Sequence, residues 1–413
     1  MKPYPPPTTI RGWWPGVYLL FALVVTLLPF SGQAERLEGV TTCVFCGEAW
    51  LADLIRNVIL FVPLGIALRR FTGSVTTGVL AAAALSGAIE LCQLVLPGRD
   101  ASAGDVIANA AGGMLGMWLA GAPARLLLRP SEREAVILSF GWSGVVGALT
   151  LLAGYLLQPS FPDTVYWGQW TPNLGHLEWY RGQVLRAEIG GIPLPSRRLD
   201  SSETVRAKLR EGSTLTVHAL AGPTTTRLGS LFSIYDESQQ EILLIGPVAS
   251  DLVVRARTVA AAIGLETPCL QFRDLMMGLD PGDTLSIGLE TSARGRYRLA
   301  VNDRERVEQF SIASLWSLLL ASPTSPGTRA LAGLLWACTL AAPAGWWLRA
   351  RIPLGLAAFA AAVLAIVVLS RSLGQPPEAS WTAAFLASAL FVAAARARWR
   401  PSREFAAARR SEQ

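Results

Sequence analysis

The sequence predicts an α-helical integral membrane bundle of about eight transmembrane helices, carrying an inserted extracytoplasmic antiparallel β-sandwich of jelly-roll type. Three observations point there. Charged residues are 16% of the 413 and hydrophobic residues 51%, whereas a soluble domain carries about 25% charge. Charge-free windows long enough to span a bilayer recur along the chain. Between Ser160 and Pro326, by contrast, 16 basic and 18 acidic residues give a net of −2, so the remainder, 20 basic against 12 acidic, carries +8 of the overall +6. A disordered chain, which needs low hydrophobicity and high net charge, is excluded.

A spanning helix needs about 20 mostly apolar residues. Such windows lie between Arg11 and Glu35, Arg70 and Glu90, Asp105 and Arg125, and Glu134 and Asp163. Three more lie between Arg329 and Arg349, Arg351 and Arg371, and Glu378 and Arg396. Trp50–Leu68 is an eighth, polar only in its first turns. With a cytoplasmic N-terminus, every arginine-dense short loop falls inside: Lys2/Arg11, Arg69/Arg70, Arg125/Arg129/Arg133, Arg349/Arg351 and the tail from Arg396. Both termini are then cytoplasmic and residues 158–326 extracytoplasmic. The basic excess is accounted for by orientation, so no nucleic-acid partner is expected. Gly32-Gln33-Ala34 leaves a second reading of the first span open, as a signal peptide. Trp13, Trp14, Trp346, Trp347 and Trp381 sit at span ends, as an aromatic belt requires.

Polar residues inside these spans are the most informative feature, because a charge at a helix centre costs roughly 2.5–3.5 kcal/mol even on the lenient scale. Asp53, Arg56 and Asn57 open the second span. Glu90 and Gln93 close the third, Arg99 lies in the following loop, and Asp105 and Asn109 open the fourth. On the orientation above, all face the outer leaflet and are candidates for one ligand-binding pocket: Arg56, Asn57, Glu90, Gln93, Arg99, Asp105 and Asn109. Three readings stay open. The charges neutralise one another and pin helix register; or the arginines take phosphate and the carboxylates take hydroxyl or amine of a headgroup; or Glu90 and Asp105 work as a general acid–base pair. Ala108, Gly112 and Gly116 recur every four residues, the spacing that lets helices approach closely. Pro63 and Gly65 are expected to interrupt the second span.

Three blocks resemble the VanZ-like family: Arg56-Asn57-Val58-Ile59-Leu60-Phe61-Val62-Pro63-Leu64-Gly65, then Glu90-Leu91-Cys92-Gln93, then Pro97-Gly98-Arg99-Asp100 with Asp105-Val106-Ile107-Ala108-Asn109 and Gly112-Gly113. They cover about residues 10–125. The family is named for a teicoplanin-resistance protein, and the resemblance implies an integral domain of the bacterial envelope and plasma membrane without supplying a reaction. The long insertion and three further C-terminal spans depart from the minimal family pattern.

The insertion alternates short apolar strands with turns. Strands are expected at Leu174–Tyr180, Val184–Ile189, Leu215–Ala221, Gly229–Asp236, Gln240–Ile245, Asp251–Arg257, Thr284–Glu290 and Gly295–Val301. Gly190-Gly191, Gly212, Gly222-Pro223, Asp280-Pro281-Gly282-Asp283 and Asn302-Asp303 mark the turns. Phe232–Asp236, Ile242–Gly246, Asp251–Arg257 and Tyr297–Asp303 are similar to a concanavalin-A-like or laminin-G-like sandwich. That similarity implies carbohydrate or protein binding, sometimes through calcium, although no tight Asp/Asn ligand run is present. Nor does a Glu-x-Asp-x-x-Glu stretch of the glucanase kind occur. Trp167, Trp170 and Trp179 are open to sugar stacking, interfacial anchoring or core packing. Arg294, Arg296 and Arg298 alternate at strand period on one face.

Cys43 and Cys46 form a disulfide candidate in the first exterior loop, while Cys92, Cys269 and Cys338 are expected to pack. His176 and His218 are the only two histidines, which excludes a histidine-rich metal site. No metal and no cofactor are expected, and no nucleotide or hydrolase fingerprint occurs. The expected organisation is a VanZ-like domain over 1–125, a fifth helix over 126–158, the sandwich over 159–315, three helices over 316–397 and a basic tail over 398–413. The expected partners are membrane lipids and a cell-envelope glycan or lipid-linked saccharide. The expected function is binding of such a component by the pocket and the sandwich. An adhesion or assembly module with the bundle as mere anchor is the alternative. A membrane transferase or hydrolase using Glu90 and Asp105 is a further one.

Overall fold

The computed structural model describes residues 14–27, 47–72, 74–94, 96, 102–175, 177–291, 296–320, 326–348 and 353–398. Two compact units result, Met1–Arg129 and Pro130–Gln413.

The first unit is helical: α1 (Trp14–Leu27), α2 (Trp50–Thr72), α3 (Val75–Gln93), α4 (Ala103–Leu119) and the short α5 (Ala122–Leu128). Phe61, Leu64, Ala82 and Ile89 form its core, with α1 adding Tyr18, Leu19, Leu23 and Leu27. Leu80, Leu91, Ile107 and Trp118 point outward, exposed, which suits a lipid-facing surface. The expected interruption of α2 does not occur. The helix runs unbroken with Pro63 inside it, and the Tyr18 hydroxyl donates to the Leu60 carbonyl at 2.6 Å in the turn before the proline. A neighbouring helix thus supplies a donor close to where the proline removes one.

Small residues set the spacing of α2 and α4. A Cβ on Gly112 would lie 2.3 Å from the Val58 carbonyl oxygen, and one on Gly116 only 2.0 Å from that of Val62. The two backbones therefore touch, as the every-fourth-residue pattern predicts.

The second unit opens with α6 (Glu132–Leu156), started by a capping box in which Ser131 and Glu134 bond reciprocally. After α6 comes a β-rich region. Its strands are β1 (Tyr166–Trp170), β2 (Gln183–Ile189), β3 (Ile192–Pro193), β4 (Leu215–Leu220), β5 (Phe232–Asp236), β6 (Glu241–Val248), β7 (Asp251–Ala256), β8 (Cys269–Phe272), β9 (Thr284–Thr291), β10 (Arg296–Val301) and β11 (Arg304–Gln309). Two short helices, α7 (Ser202–Glu211) and α8 (Val259–Ala262), join them. One sheet runs β1-β5-β6-β7-β8 and the other β11-β10-β9-β4-β2-β3. Every named pairing is antiparallel. The six-stranded sheet alternates buried and exposed residues along β4, β9 and β10, so it buries one face. The five-stranded sheet is buried almost throughout in β5, β6 and β7. Leu174, Leu177 and Leu228 from neighbouring loops cover Leu244, Val248, Val253 and Cys269 on one of its faces.

Several expectations need correction here. Leu174–Tyr180 is not a strand: Leu174 and Leu177 face the core from an irregular loop, in which Glu178 makes an isolated parallel bridge to Gly229. The helix α7 and the strands β1, β3, β8 and β11 were not expected. Strand β11 is strongly charged, as a sheet-edge strand often is, and α7 interrupts an otherwise strand-like register with an amphipathic turn pattern that buries Val205, Arg206 and Leu209.

The loop carrying Glu178 is pinned by that side chain. Its carboxylate accepts from the Thr226 amide at 2.8 Å, the Arg227 amide at 2.7 Å and the Thr226 hydroxyl at 3.1 Å. The Arg227 amide first, and Thr226 with it, hold this carboxyl below the usual carboxylate range. A depressed folded-state value means the stabilisation is present above the unfolded pKa and is lost as pH falls through the folded one. Limited proteolysis across residues 172–182 is expected to speed up on acidification, and Glu178→Gln should remove most of that pH dependence.

The unit closes with α9 (Pro326–Trp347), α10 (Pro353–Leu364), a π turn (Ala365–Leu369), α11 (Ser370–Ser372) and α12 (Ala379–Arg398). Polar side chains tie these helices to α6: Ser143 donates to the Ala358 carbonyl at 2.6 Å and the Trp142 indole to that of Leu340 at 2.8 Å. The β region is joined to α9 through Arg329, whose guanidinium meets the Cys269 carbonyl at 3.2 Å and Gln271 Oε1 at 3.5 Å.

Among the described residues, six helices are long and apolar enough to cross a membrane: α2, α3, α6, α9, α10 with its continuation to Ser372, and α12. Helices α1 and α4, with 14 and 17 residues, are shorter. Of the cysteines, Cys269 is buried as expected, but Cys92 is exposed, so the packing role foreseen for it does not hold. Cys43 and Cys46 lie outside the described residues.

Candidate functional site

The polar residues of the first unit gather in the seam of α2, α3 and α4. On α3, Ser86, Glu90 and Gln93 follow one another along a single buried stripe. On α4, Asp105 and Asn109 are one turn apart, and on α2 Asp53, Arg56 and Asn57 share the first turns. The spacing is what puts these side chains face to face: residues three and four apart on a helix are surface neighbours.

Asn57 donates to Asp105 Oδ1 at 2.7 Å, joining α2 to α4. Glu90 Oε2 accepts the Ser102 amide at 2.8 Å, so α3 holds the N-terminus of α4. Ser102 itself caps that helix, its hydroxyl accepting the Gly104 amide at 3.1 Å. One turn deeper, Asn109 Nδ2 donates to Ser86 Oγ at 2.8 Å. Asp105 stands in the first turn of α4, just after Ser102, so both carboxylates lie where α3 meets the start of that helix.

Ser86 is 0%, Asn109 2% and Glu90 8% exposed, so the cluster reaches well into the bundle. The Arg56 guanidinium pairs with Asp53 on its own helix. Gln93 donates to the Thr26 carbonyl at 2.9 Å, tying α3 to α1 and away from the carboxylates. Arg99 lies outside the described residues. Ser86, Ser102 and Asp53 complete the cluster without having been singled out as site residues. The only sequence signal for the serines is their helical spacing from Glu90 and Asp105.

This arrangement combines two adjacent carboxylates, amides and a hydroxyl at the end of an apolar helix bundle. It can accept hydrogen bonds from a bound polar group. Among the described residues, no cluster of three or more His, Cys, Asp or Glu is placed to hold a metal ion.

Residues 16–126 match the family model described as VanZ/LLP1. That region contains every helix contributing to the polar seam, and all three sequence blocks lie within it. The VanZ-like match and the apolar helices make this a multi-pass membrane protein with a separate β-sheet-rich region. No curated protein and no solved structure matches the chain.

In the β region, Trp167 and Trp179 are exposed. The Arg181 guanidinium stacks 5.4 Å from the Trp179 ring centre, whereas Trp170 is tied down by its indole, which donates to the Leu194 carbonyl at 2.9 Å. Arg298 bridges Glu290 at 3.8 Å and Glu305 at 3.4 Å, so that arginine sits in a paired, solvated row. Arg294 and His176 lie outside the described residues.

Proposed function

We propose that the protein works in the bacterial envelope, where the VanZ-like unit receives the polar headgroup of a lipid or lipid-linked saccharide in its α2–α3–α4 seam. The observation that carries this reading is the burial of Glu90 and Asn109 in an otherwise apolar bundle. Polar groups held at such depth cost free energy and mark functional positions in membrane proteins. On this reading the seam opens towards the outer leaflet, Asn57 and Ser102 hold the two carboxylates in place, and the bound component enters past Asp53 and Asp105. The β region recognises glycan as a concanavalin-A-like or laminin-G-like sandwich. Its two antiparallel sheets and the exposed Trp167 and Trp179 support that part.

Native mass spectrometry of the full chain, released in mild detergent, tests the pocket. A lipid-class adduct is expected on the wild type, with at least about tenfold less on Asp105→Leu, the loss of roughly 1.4 kcal/mol of binding. A wild type that carries no adduct, or a variant that carries as much, would overturn the reading.

A second reading is favoured by the Trp179–Arg181 stack: the β region alone binds, as an adhesion or assembly module, and the helices anchor it. Under it, Trp179→Ala in the full chain abolishes binding to a glycan array while Asp105→Leu leaves that binding intact.

A further inference from the structure

Charge is unevenly shared over the β-rich part of the second unit. Its exposed elements are often heavily charged, as β11 is with Arg304, Glu305 and Arg306. Two stretches stand apart. No charged residue lies between Arg257 and Glu266, a stretch that contains α8, or between Glu308 and Arg329, which contains a 3₁₀ turn over Ile312–Leu318. The two stretches meet, because the Glu266 amide donates to the Leu318 carbonyl at 3.0 Å. Both also present apolar surface: Ile263 at the end of α8 and Leu320 after the turn are exposed.

The helices that are long enough to cross a membrane fix where these stretches lie. The chain leaving α6 pairs at once with the entry to α8. The Val259 amide donates to the Gln158 carbonyl at 3.0 Å, and the Ser160 amide to the Arg257 carbonyl at 2.8 Å. The 3₁₀ turn is packed on α6 and α9, and its Ile312 carbonyl accepts from the Trp336 indole at 2.9 Å. Trp336 lies ten residues after Pro326, the first residue of α9, so about 15 Å along the axis at 1.5 Å per residue. Even with the indole directed back towards the helix N-terminus, that carbonyl lies beside the first turns of α9 and not above them. The apolar stretch of α9, Gly327–Trp347, has 21 residues, about 30 Å, which matches the hydrocarbon core. A segment packed against its side is therefore at the level of the lipid. The turn is also suited to such a place, where backbone groups that leave water must find partners. Ser314 donates its hydroxyl to the Ser311 carbonyl at 2.9 Å and accepts the Ser311 amide at 3.0 Å, and Ser317 donates to the Ser314 carbonyl at 2.6 Å.

We propose that α8 and the 3₁₀ turn form a lipid-contacting shelf, seated in the interfacial layer of the membrane that α6 and α9 cross, with Ile263 and Leu320 against acyl chains. The occupant is the bilayer itself, because the shelf packs on two helices whose sides face lipid: Tyr155 near the end of α6 and Leu331 in the second turn of α9 are exposed in the same way. An uncharged apolar surface partitions into the headgroup–acyl boundary by the hydrophobic effect and needs no anionic lipid. Such a shelf holds the β region at the membrane surface. It depends on α6 and α9 being spans and is independent of the headgroup and glycan readings above.

The test uses the wild-type full-length chain in nanodiscs of dioleoyl phosphatidylcholine containing a phosphatidylcholine with a photoreactive diazirine in its acyl chain. After irradiation, lipid adducts are mapped to peptides by mass spectrometry. Adducts are expected in residues 259–265 and 312–320, at a yield matching that around Leu331 and Leu335, which are exposed on α9. None is expected in β2, where Leu185 is exposed four strands away from β11 in the same sheet. Adducts on α9 with none in either stretch would overturn the shelf and show that water or protein covers it. Labelling of one stretch without the other would overturn the joint arrangement. Equal labelling of β2 would show that the reagent does not discriminate by depth and would remove the support for the shelf. Absence of adducts on α9 as well would overturn the span assignment and the shelf with it.

Discussion

Gly116→Val is expected to leave almost no correctly folded first unit. The added Cβ would sit 2.0 Å from the Val62 carbonyl oxygen and 2.9 Å from the Ile66 amide nitrogen. Both neighbours are backbone of α2, so no side chain can swing aside, and α2 and α4 must separate. Overpacking of this kind costs typically about 1–3 kcal/mol and sometimes more. Separation would also pull Asn57 away from Asp105, because that bond joins the same two helices at 2.7 Å. In detergent, size-exclusion chromatography of the full-length variant is expected to show aggregate in place of a single sharp peak. Gly87→Ala is the internal control. Gly87 lies in α3, and a Cβ there meets nothing within 4 Å, so the change is expected to be neutral or to stabilise by about 0.5–1 kcal/mol through the helix preference of alanine. Gly116→Val behaving like Gly87→Ala would refute the contact between α2 and α4.

Asp236→Ala is the second large effect, and it falls on the β region. Asp236 is 4% exposed and ends β5. Its Oδ1 accepts the Ser238 and Gln240 amides, both at 2.9 Å, and closes the turn into β6. Its Oδ2 faces Arg257 at 3.3 Å. Removing one member of a buried pair costs about 3–5 kcal/mol, because the other charge stays behind uncompensated. Arg257 is badly placed to absorb that loss, since its Nε is already buried without a partner. Chemical denaturation followed by tryptophan fluorescence is expected to move to clearly lower denaturant. Asp236→Asn, which keeps an acceptor for the turn but loses the charge, should fall between alanine and wild type. An alanine variant as stable as wild type would show that Arg257 finds another partner.

The polar seam was legible as composition and spacing but not as pairing. Asp53, Arg56, Glu90, Asp105 and Asn109 stand out because charged and amide groups in apolar helices are rare and costly. Which of them meet is a matter of helix rotation and separation. Arg56 illustrates this: Asp53, three residues away on the same helix, pairs with its guanidinium. Ser86 and Ser102 carry no charge and stand out by helical spacing alone, although one bonds Asn109 and the other presents its amide to Glu90. In the β region, strands with alternating or continuous apolar residues were readable: β2, β4 to β7, β9 and β10. The charged edge strand β11, the short β8 and the loop around Leu174 were not. Their sheet membership depends on non-local pairing or cover, which local pattern does not encode.

The sequence by itself determined that apolar segments long enough to cross a bilayer recur along this chain, that a charged β-rich segment interrupts them, and that a few polar residues lie where lipid-facing chemistry does not account for them. These follow from hydrophobic periodicity and the cost of burying charge, which act residue by residue. Only the tertiary structure decided that Gly112 and Gly116 bring the α2 and α4 backbones into contact, that Arg56 pairs with Asp53, and that Asn109 is left with a buried oxygen and no donor. Each of those is a property of two or three helices at once. A hydrogen bond is made or lost over a fraction of an ångström, and that distance is set by packing across the bundle, not by any one stretch of chain.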